Sequence, residues 1–437
     1  MADLHISQDM LDGVSRGELP ARLLAELGLK HLLTLCPHCR AEFQAWQRRR
    51  AGQGSHDAAL QILPALLQHQ TQGLEKLEED ARRDMRALLR MSFEDRLARI
   101  RRAHRHFRSA FLAGLLLGEA RRHIPAEPTA VYELAETAHA ILLRTPEGPT
   151  ASDLSVRAAI YAGNALRAQG DLPVADKRFA FARGIITARG VTDTLVCAEV
   201  DWFEGTLRKD QRRFQEAEDL LTRAIALYRL ADDHAAAVYP LATLGLLYYD
   251  RQEYPKAVDT LRAALSREAP KTDPRLSCYL HHNLTLTLCD QGNYDAAAEA
   301  LHAGRESYAA CPDAYTQARL SWVEGKIALG FGHLESAEEA FLAVRTGFVA
   351  EGNGYDVAMV SLDLALVYAK QGRGQDLKKL AEETHTLFGT LEIHREALSA
   401  LLLFGQAARE ERLSAERIED FIRYFRKARA NPSLRFR

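Results

Sequence analysis

The chain matches itself at a spacing of forty residues, and this narrows its fold more than any other feature. From Gly163, the segment GNALRAQGDLPVADKRFAFA carries a small residue followed by Ala175, Phe179 and Ala182. The same frame returns as Gly205, Ala217, Leu221 and Ala224, and again as Gly245, Ala257, Leu261 and Ala264. A degenerate copy holds Thr285, Ala297, Leu301 and Gly304. Gly325, Ala337, Phe341 and Val344 make the next, then Ala365, Leu377, Ala381 and Thr384. Gly405 opens a further copy, and Gly118 with Ala130 and Leu134 is a divergent earlier one. From Gly205 to Gly405 the small-residue slot recurs every 40 residues. A fixed period of this length is the mark of stacked supersecondary units.

Apolar residues follow a helical spacing, and no segment shows the period-two alternation of a strand. Short turns at QGD, DRQEY, DQGNY, GFGHL and KQGRG cut each unit into two helices. The small residue on the first helix lets the second approach closely, and the alanine and aromatic of the second meet it there. One such hairpin cannot bury its apolar stripe alone, so neighbours must stack into a continuous core.

Over roughly residues 95 to 425 this frame resembles the tetratricopeptide repeat (TPR) family. It departs in period, 40 instead of about 34, which calls for longer helices or longer loops between repeats. The resemblance implies an all-α, TPR-like α-solenoid of about seven to eight hairpins, a face lined by the first helix of each pair, and work done by binding. The expected organisation is a small helical module at 1–47, a linker and connecting helices at 48–93, the repeats at 94–428 and a tail at 429–437.

Composition removes several alternatives. With 437 residues, 47% apolar and 27% charged, the chain is neither disordered nor short of core. A formal net charge of −2 provides no global attraction to nucleic acid or anionic membrane. The most apolar run, Ala110 to Leu117, is too short to span a bilayer. The start, MADLHISQDMLDG, lacks the build of a signal peptide, and four of the six cysteines are scattered without a framework. A cytoplasmic location is expected.

The remaining two cysteines lie in KHLLTLCPHCRAEF, as Cys36 and Cys39 with His38 between them and His31 upstream. His5, His31, Cys36 and Cys39 together offer two imidazoles and two thiolates, a mixture that Zn2+ favours in closed structural sites. A module of this size gains from a metal staple. A redox pair and a thiol pair without metal remain open as alternatives. The order of these residues, with ELP at a helix start, resembles the zinc-binding anti-sigma module of bacterial regulators. That likeness covers about a tenth of the chain and implies His5, His31, Cys36 and Cys39 as ligands and a sigma factor as partner. The family has three residues between the second His and the first Cys, whereas four stand here. On a continuous helix the two side chains would point about 140° apart, so the helix ends or bulges before Cys36, or His38 substitutes for His31.

Beyond the linker RRRAGQGSH, a helical stretch from Ser55 kinks near Pro64. The next piece carries Arg96, Arg99, Arg101, Arg102, Arg105 and Arg108. It reads as a solvated basic face, with docking of an acidic partner as the other reading.

Counted from the small residue, positions −6, −3, +1 and +4 share one face of the first helix. They select Arg157, Asn164 and Arg167, then Trp202 and Lys209, Tyr239 and Tyr249, His282, and finally Arg319, Trp322 and Lys326. Cations among aromatics suit an acidic, extended or partly aromatic peptide. Trp202 and Trp322 also fall one position from a slot where the family buries a tryptophan, so a one-residue slip would place them in the core.

No catalytic constellation is legible. There is no paired-glycine phosphate loop and no HExxH, and the histidines at 281 and 282 lack a nucleophile beside them. Cys278 and Cys289 lack an acid to complete a triad. A non-enzymatic regulator or adaptor is expected. In it a zinc module masks a sigma or other transcription factor while the repeats bind a protein. A scaffold in a defence or proteolytic system is one alternative, and a repeat protein that senses a peptide or small ligand is the other.

Overall fold

A computed structural model describes residues 76–103, 107–124, 127–267, 273–350, 354–388 and 414–430. His5, His31, Cys36, His38 and Cys39, with the whole expected zinc module, lie outside the described residues. Among those described there is no strand, and no helix is long and apolar enough to cross a membrane.

The chain divides into two compact units, Met1–Leu207 and Arg208–Arg437. The first holds α1 (Phe93–Arg102), α2 (Ala110–His123), α3 (Pro128–Leu142), α4 (Pro149–Ala168) and α5 (Leu172–Arg189). The division falls inside α6 (Thr194–Asp210). The second unit continues with α7 (Phe214–Leu230), α8 (Val238–Asp250), α9 (Tyr254–Leu265), α10 (Pro274–Gln291) and α11 (Tyr294–Ala309). It ends with α12 (Ala314–Gly330), α13 (Leu334–Ala350), α14 (Gly354–Lys370), α15 (Gly374–Phe388) and α16 (Ala415–Ala430). Sequential neighbours pack on one another: α2 on α3 and α4 on α5 in the first unit, and α8 on α9, α10 on α11, α12 on α13 and α14 on α15 in the second. This is the all-α, TPR-like arrangement of stacked hairpins.

From α4 onward the described hairpins close by one device. Residues at 170, 212, 252, 292, 332 and 372 adopt positive φ, between 60° and 87°. The following N–H returns to a carbonyl five residues back, as from Asn293 to Leu288 and from Arg373 to Tyr368. That is the Schellman closure of a helix C-terminus. Four of the six sites are glycine, for which positive φ carries no Cβ penalty; Arg212 and Gln252 adopt it without that relief. The next residue opens the second helix, and Asp171 and Asn293 cap it with their own side chains. The 40-residue period is met by long helices: α12 and α13 have 17 residues each.

The repeating frame is the contact between the two helices. Ala175, Phe179 and Ala182 are fully buried, as are Ala217, Leu221, Ala224, Ala257, Leu261, Ala264, Ala337 and Phe341. A Cβ on Gly163 would meet the Phe179 ring at 3.0 Å, one on Gly245 would meet Leu261 Cγ at 2.8 Å, and one on Gly325 would meet Phe341 Cε1 at 2.7 Å. A side chain at these three positions forces the facing residue of the second helix to shift. The degenerate copy swaps the roles. Thr285 fills the small slot, and across from it Gly304 makes room for His281, whose Cβ lies 2.6 Å from where a side chain would begin.

Candidate functional site

In each unit the first helices present polar and charged side chains to one another along one face. In the first unit a buried carboxylate organises it. Glu199 on α6 accepts from Arg157 Nε on α4 at 2.7 Å and from Arg121 on α2 at 2.8 Å, with the Tyr161 hydroxyl 3.5 Å away. The charge of Glu199 holds the Arg157 guanidinium firmly protonated, and burial pushes the Tyr161 phenol upward. Arg183 on α5 donates to Asp201 at 2.6 Å and to Glu204 at 2.8 Å. Asn164 is buried and its Oδ1 accepts from Arg167 Nε at 2.9 Å.

In the second unit the same face carries a ladder of paired charges. Lys209 Nζ lies 2.7 Å from Asp210 and 3.5 Å from Asp250 on α8. The Tyr249 hydroxyl donates to Asp290 on α10 at 2.7 Å. Lys326 on α12 sits between two carboxylates, 3.3 Å from Asp290 and 3.2 Å from Asp363 on α14. Trp322 Nε1 donates to Asp363 at 2.8 Å, and the Lys326 ammonium lies 5.9 Å from the Trp322 ring centre. Apart from the Lys209–Asp210 pair within α6, each hydrogen bond and ion pair ties one first helix to the next. Charges this deeply buried persist only when paired and hydrogen-bonded.

Tyr249, Trp322 and Lys326 therefore come together in one cluster, while Lys209 joins a second around Asp250. Trp322 is buried and packs edge-on against Phe348 at 5.9 Å, so it serves the core as well as the ladder. Trp202 is half-buried and stacks on Phe203. His282 is buried and turned to the second helix, its Nδ1 3.1 Å from the Tyr308 hydroxyl. Arg319 is half-buried over the Tyr315 ring at 5.6 Å, and Tyr239 is half-buried.

The selection of cations and aromatics passed over the carboxylates Glu199, Asp250, Asp290 and Asp363. It also passed over Tyr279, 36% exposed at position −6. A signal for the carboxylates exists in the chain. Lys209 and Asp250, Tyr249 and Asp290, and Trp322 and Asp363 are all 41 residues apart. A donor on one first helix thus meets an acid one period and one residue further on.

Burial lowers the His282 pKa well below 6.5, with Arg319 adding to the effect, and it lowers that of His281. A histidine held neutral by the fold protonates first in the unfolded chain, so stability declines as pH falls through 6.5. His282→Gln keeps an acceptor for Tyr308 and cannot titrate. Between pH 7.5 and 5.5 it should lose about 1 kcal/mol less stability than the wild type, measured by urea unfolding. Equal losses would show that His282 does not govern this window.

No family model and no curated protein matches the chain. Solved structures do. A Rap protein complexed with competence and sporulation factor superposes with a TM-score of 0.54 at 14% identity, over 74% of this chain and 99% of that one. The apo form of RapI superposes with a TM-score of 0.52 at 13% identity, over 69% of this chain and 85% of that one. At these identities the likeness is one of fold.

Proposed function

We infer that this chain is a non-enzymatic, ligand-sensing regulatory protein that receives a peptide, or a peptide-like segment of a partner protein, on the inner face of its first helices. The observation that carries this reading is the charge ladder. It fixes consecutive first helices to one another, from Lys209 through Asp250 and from Tyr249 through Asp290 and Lys326 to Asp363. The resulting face is preorganised, and preorganisation lowers the entropic cost of binding. Tyr239, Tyr279 and Arg319 occupy its −6 positions with part of their surface open. The fold likeness to a Rap protein that holds a competence and sporulation factor supports the sensing reading over one centred on a sigma factor.

Because Lys209 and Lys326 already face carboxylates, an acidic ligand would be recognised at Arg319 and the aromatic positions more than at Lys326. A zinc-stapled module with His5, His31, Cys36 and Cys39, or His38, and a cytoplasmic setting belong to the same proposal. Metal analysis of the purified chain tests the zinc, and fewer than one zinc per chain would remove it.

The binding reading is tested by panning a displayed random 12-residue peptide library on the full-length chain and measuring the recovered peptides by fluorescence anisotropy. Tyr279→Ala combined with Arg319→Ala should weaken them at least tenfold while leaving the melting temperature in place. Peptides that bind both proteins equally would put the site elsewhere.

A further inference from the structure

The last helix does not follow the repeat. Counted from Gly405, the frame would place residues 417, 421 and 424 in the buried slots of a second helix. In every well-formed hairpin the first of those slots is fully buried, as at Ala217, Ala257 and Ala337. Arg417 is instead exposed, whereas Ile418 and Ile422 are 0% and 6% exposed. The buried stripe of α16 is therefore turned by one residue, about 100°, from the orientation a second helix would need.

Its contacts agree with that rotation. α16 packs against α14 and also touches α8, two first helices separated along the unit by α10 and α12. A single helix that reaches both lies along the face that the first helices share. α14 is built to be covered there. Its inner positions −6, −3 and +1 hold Met359, Leu362 and Leu366, where the preceding hairpin holds Arg319, Trp322 and Lys326. The run from Val357 to Tyr368 is buried at every residue, which requires cover on all sides of the helix. Ile418 and Ile422 join the same apolar cluster as Met359, Leu362 and Leu366, and Glu419 lies 3.5 Å from Lys370 at the edge.

We propose that α16 is an internal occupant of the binding face of the second unit. The ligand class of that face is accordingly an amphipathic helical segment with branched aliphatics four residues apart beside a carboxylate, and such a ligand binds by displacing α16. This rests on the binding reading above and names the ligand class and regulation of that same face. An internal segment competes at high effective concentration, so the face is held closed until a matching segment is abundant or tight enough. Ile418 and Ile422 supply the apolar anchors, Glu419 the charge contact, and the exposed Arg417, Asp420 and Arg423 keep the other side of α16 in water.

The test uses a fluorescein-labelled peptide of residues 414–430 and two full-length proteins, wild type and the double variant Ile418→Asp, Ile422→Asp. The peptide should bind the variant at least tenfold more tightly than the wild type, and the same peptide carrying both substitutions should bind neither. Equal affinity for wild type and a folded variant would overturn the proposal. Should the variant fail to fold, displacement is read on the wild-type chain instead. Unlabelled peptide should raise hydrogen exchange in the chain's own 415–430 segment, distinguished by isotopic mass, and unchanged exchange at the highest concentration would equally overturn it. The two readings fail separately. If library-derived peptides bind wild type and variant alike, self-occupancy is wrong and the binding reading stands. If they bind neither while the 414–430 peptide binds the variant, the face serves internal docking alone and the binding reading falls.

Discussion

Replacing Lys326 by methionine is expected to lower the stability of the second unit by about 3–5 kcal/mol, the usual consequence of removing one partner from a buried charge cluster. Lys326, Asp290 and Asp363 are all nearly inaccessible, with side-chain exposures of 7%, 1% and 3%. Methionine fills much of the same volume, so the loss reports charge and not a cavity. Two carboxylates on α10 and α14 would then face each other across α12 without a cation between them. Tyr249 and Trp322 would still donate to them, which limits the damage without removing it. Adding Asp290→Asn and Asp363→Asn to Lys326→Met should recover all but about 1 kcal/mol, because an uncharged cluster of the same shape carries no desolvation penalty for ions. Urea unfolding of the single, double and triple variants measures this coupling. A single variant within about 1 kcal/mol of wild type would mean that water reaches the cluster.

The second large effect is expected at Phe341. Its ring is fully buried, and its Cε1 lies where a Cβ on Gly325 would come within 2.7 Å. Phe341→Ala removes the group on which α12 and α13 close, and large-to-small changes of this kind cost about 3–5 kcal/mol. A stack of repeats holds together by nearest-neighbour interfaces, so the damage should stay local before it spreads. The segments Ala314–Gly330 and Leu334–Ala350 should gain hydrogen exchange well before α8 and α9 do. Trp322, adjacent to Phe348 in the same hairpin, should report a fluorescence transition earlier than the loss of helical circular dichroism. Coincident transitions with a loss below 1 kcal/mol would contradict this picture of the core.

Much of the fold was legible because the same local problem is solved at every repeat. A small residue, an alanine twelve residues after it and a closing turn between the two are short-range patterns, and their return every 40 residues averages away individual departures. The turn residues Arg212 and Gln252 show the strength of that frame, since each adopts the left-handed conformation of the glycines at 292, 332 and 372. The inner face was only partly legible. Helical spacing selects Tyr249, Trp322 and Lys326, which the structure brings together, but it also selects His282, which turns to Tyr308 on the second helix, and cations and aromatics by themselves do not point to the acids that neutralise them. Lys326 reads as a free positive charge until Asp290 and Asp363 are seen on either side of it.

The orientation of α16 was not legible at all from the frame, because one residue of helical rotation separates burial of Arg417 from burial of Ile418. The period, the helical class and the hairpin contacts belong to the sequence by itself, since each depends on residues on one helix or on two helices joined by a three-residue turn. Which charges cancel, which aromatics face inward and where α16 rests were decided only by tertiary structure. Those outcomes depend on partners about 40 residues away or further, and their free energies come from burial and desolvation, which have no value until the neighbouring helices are in place.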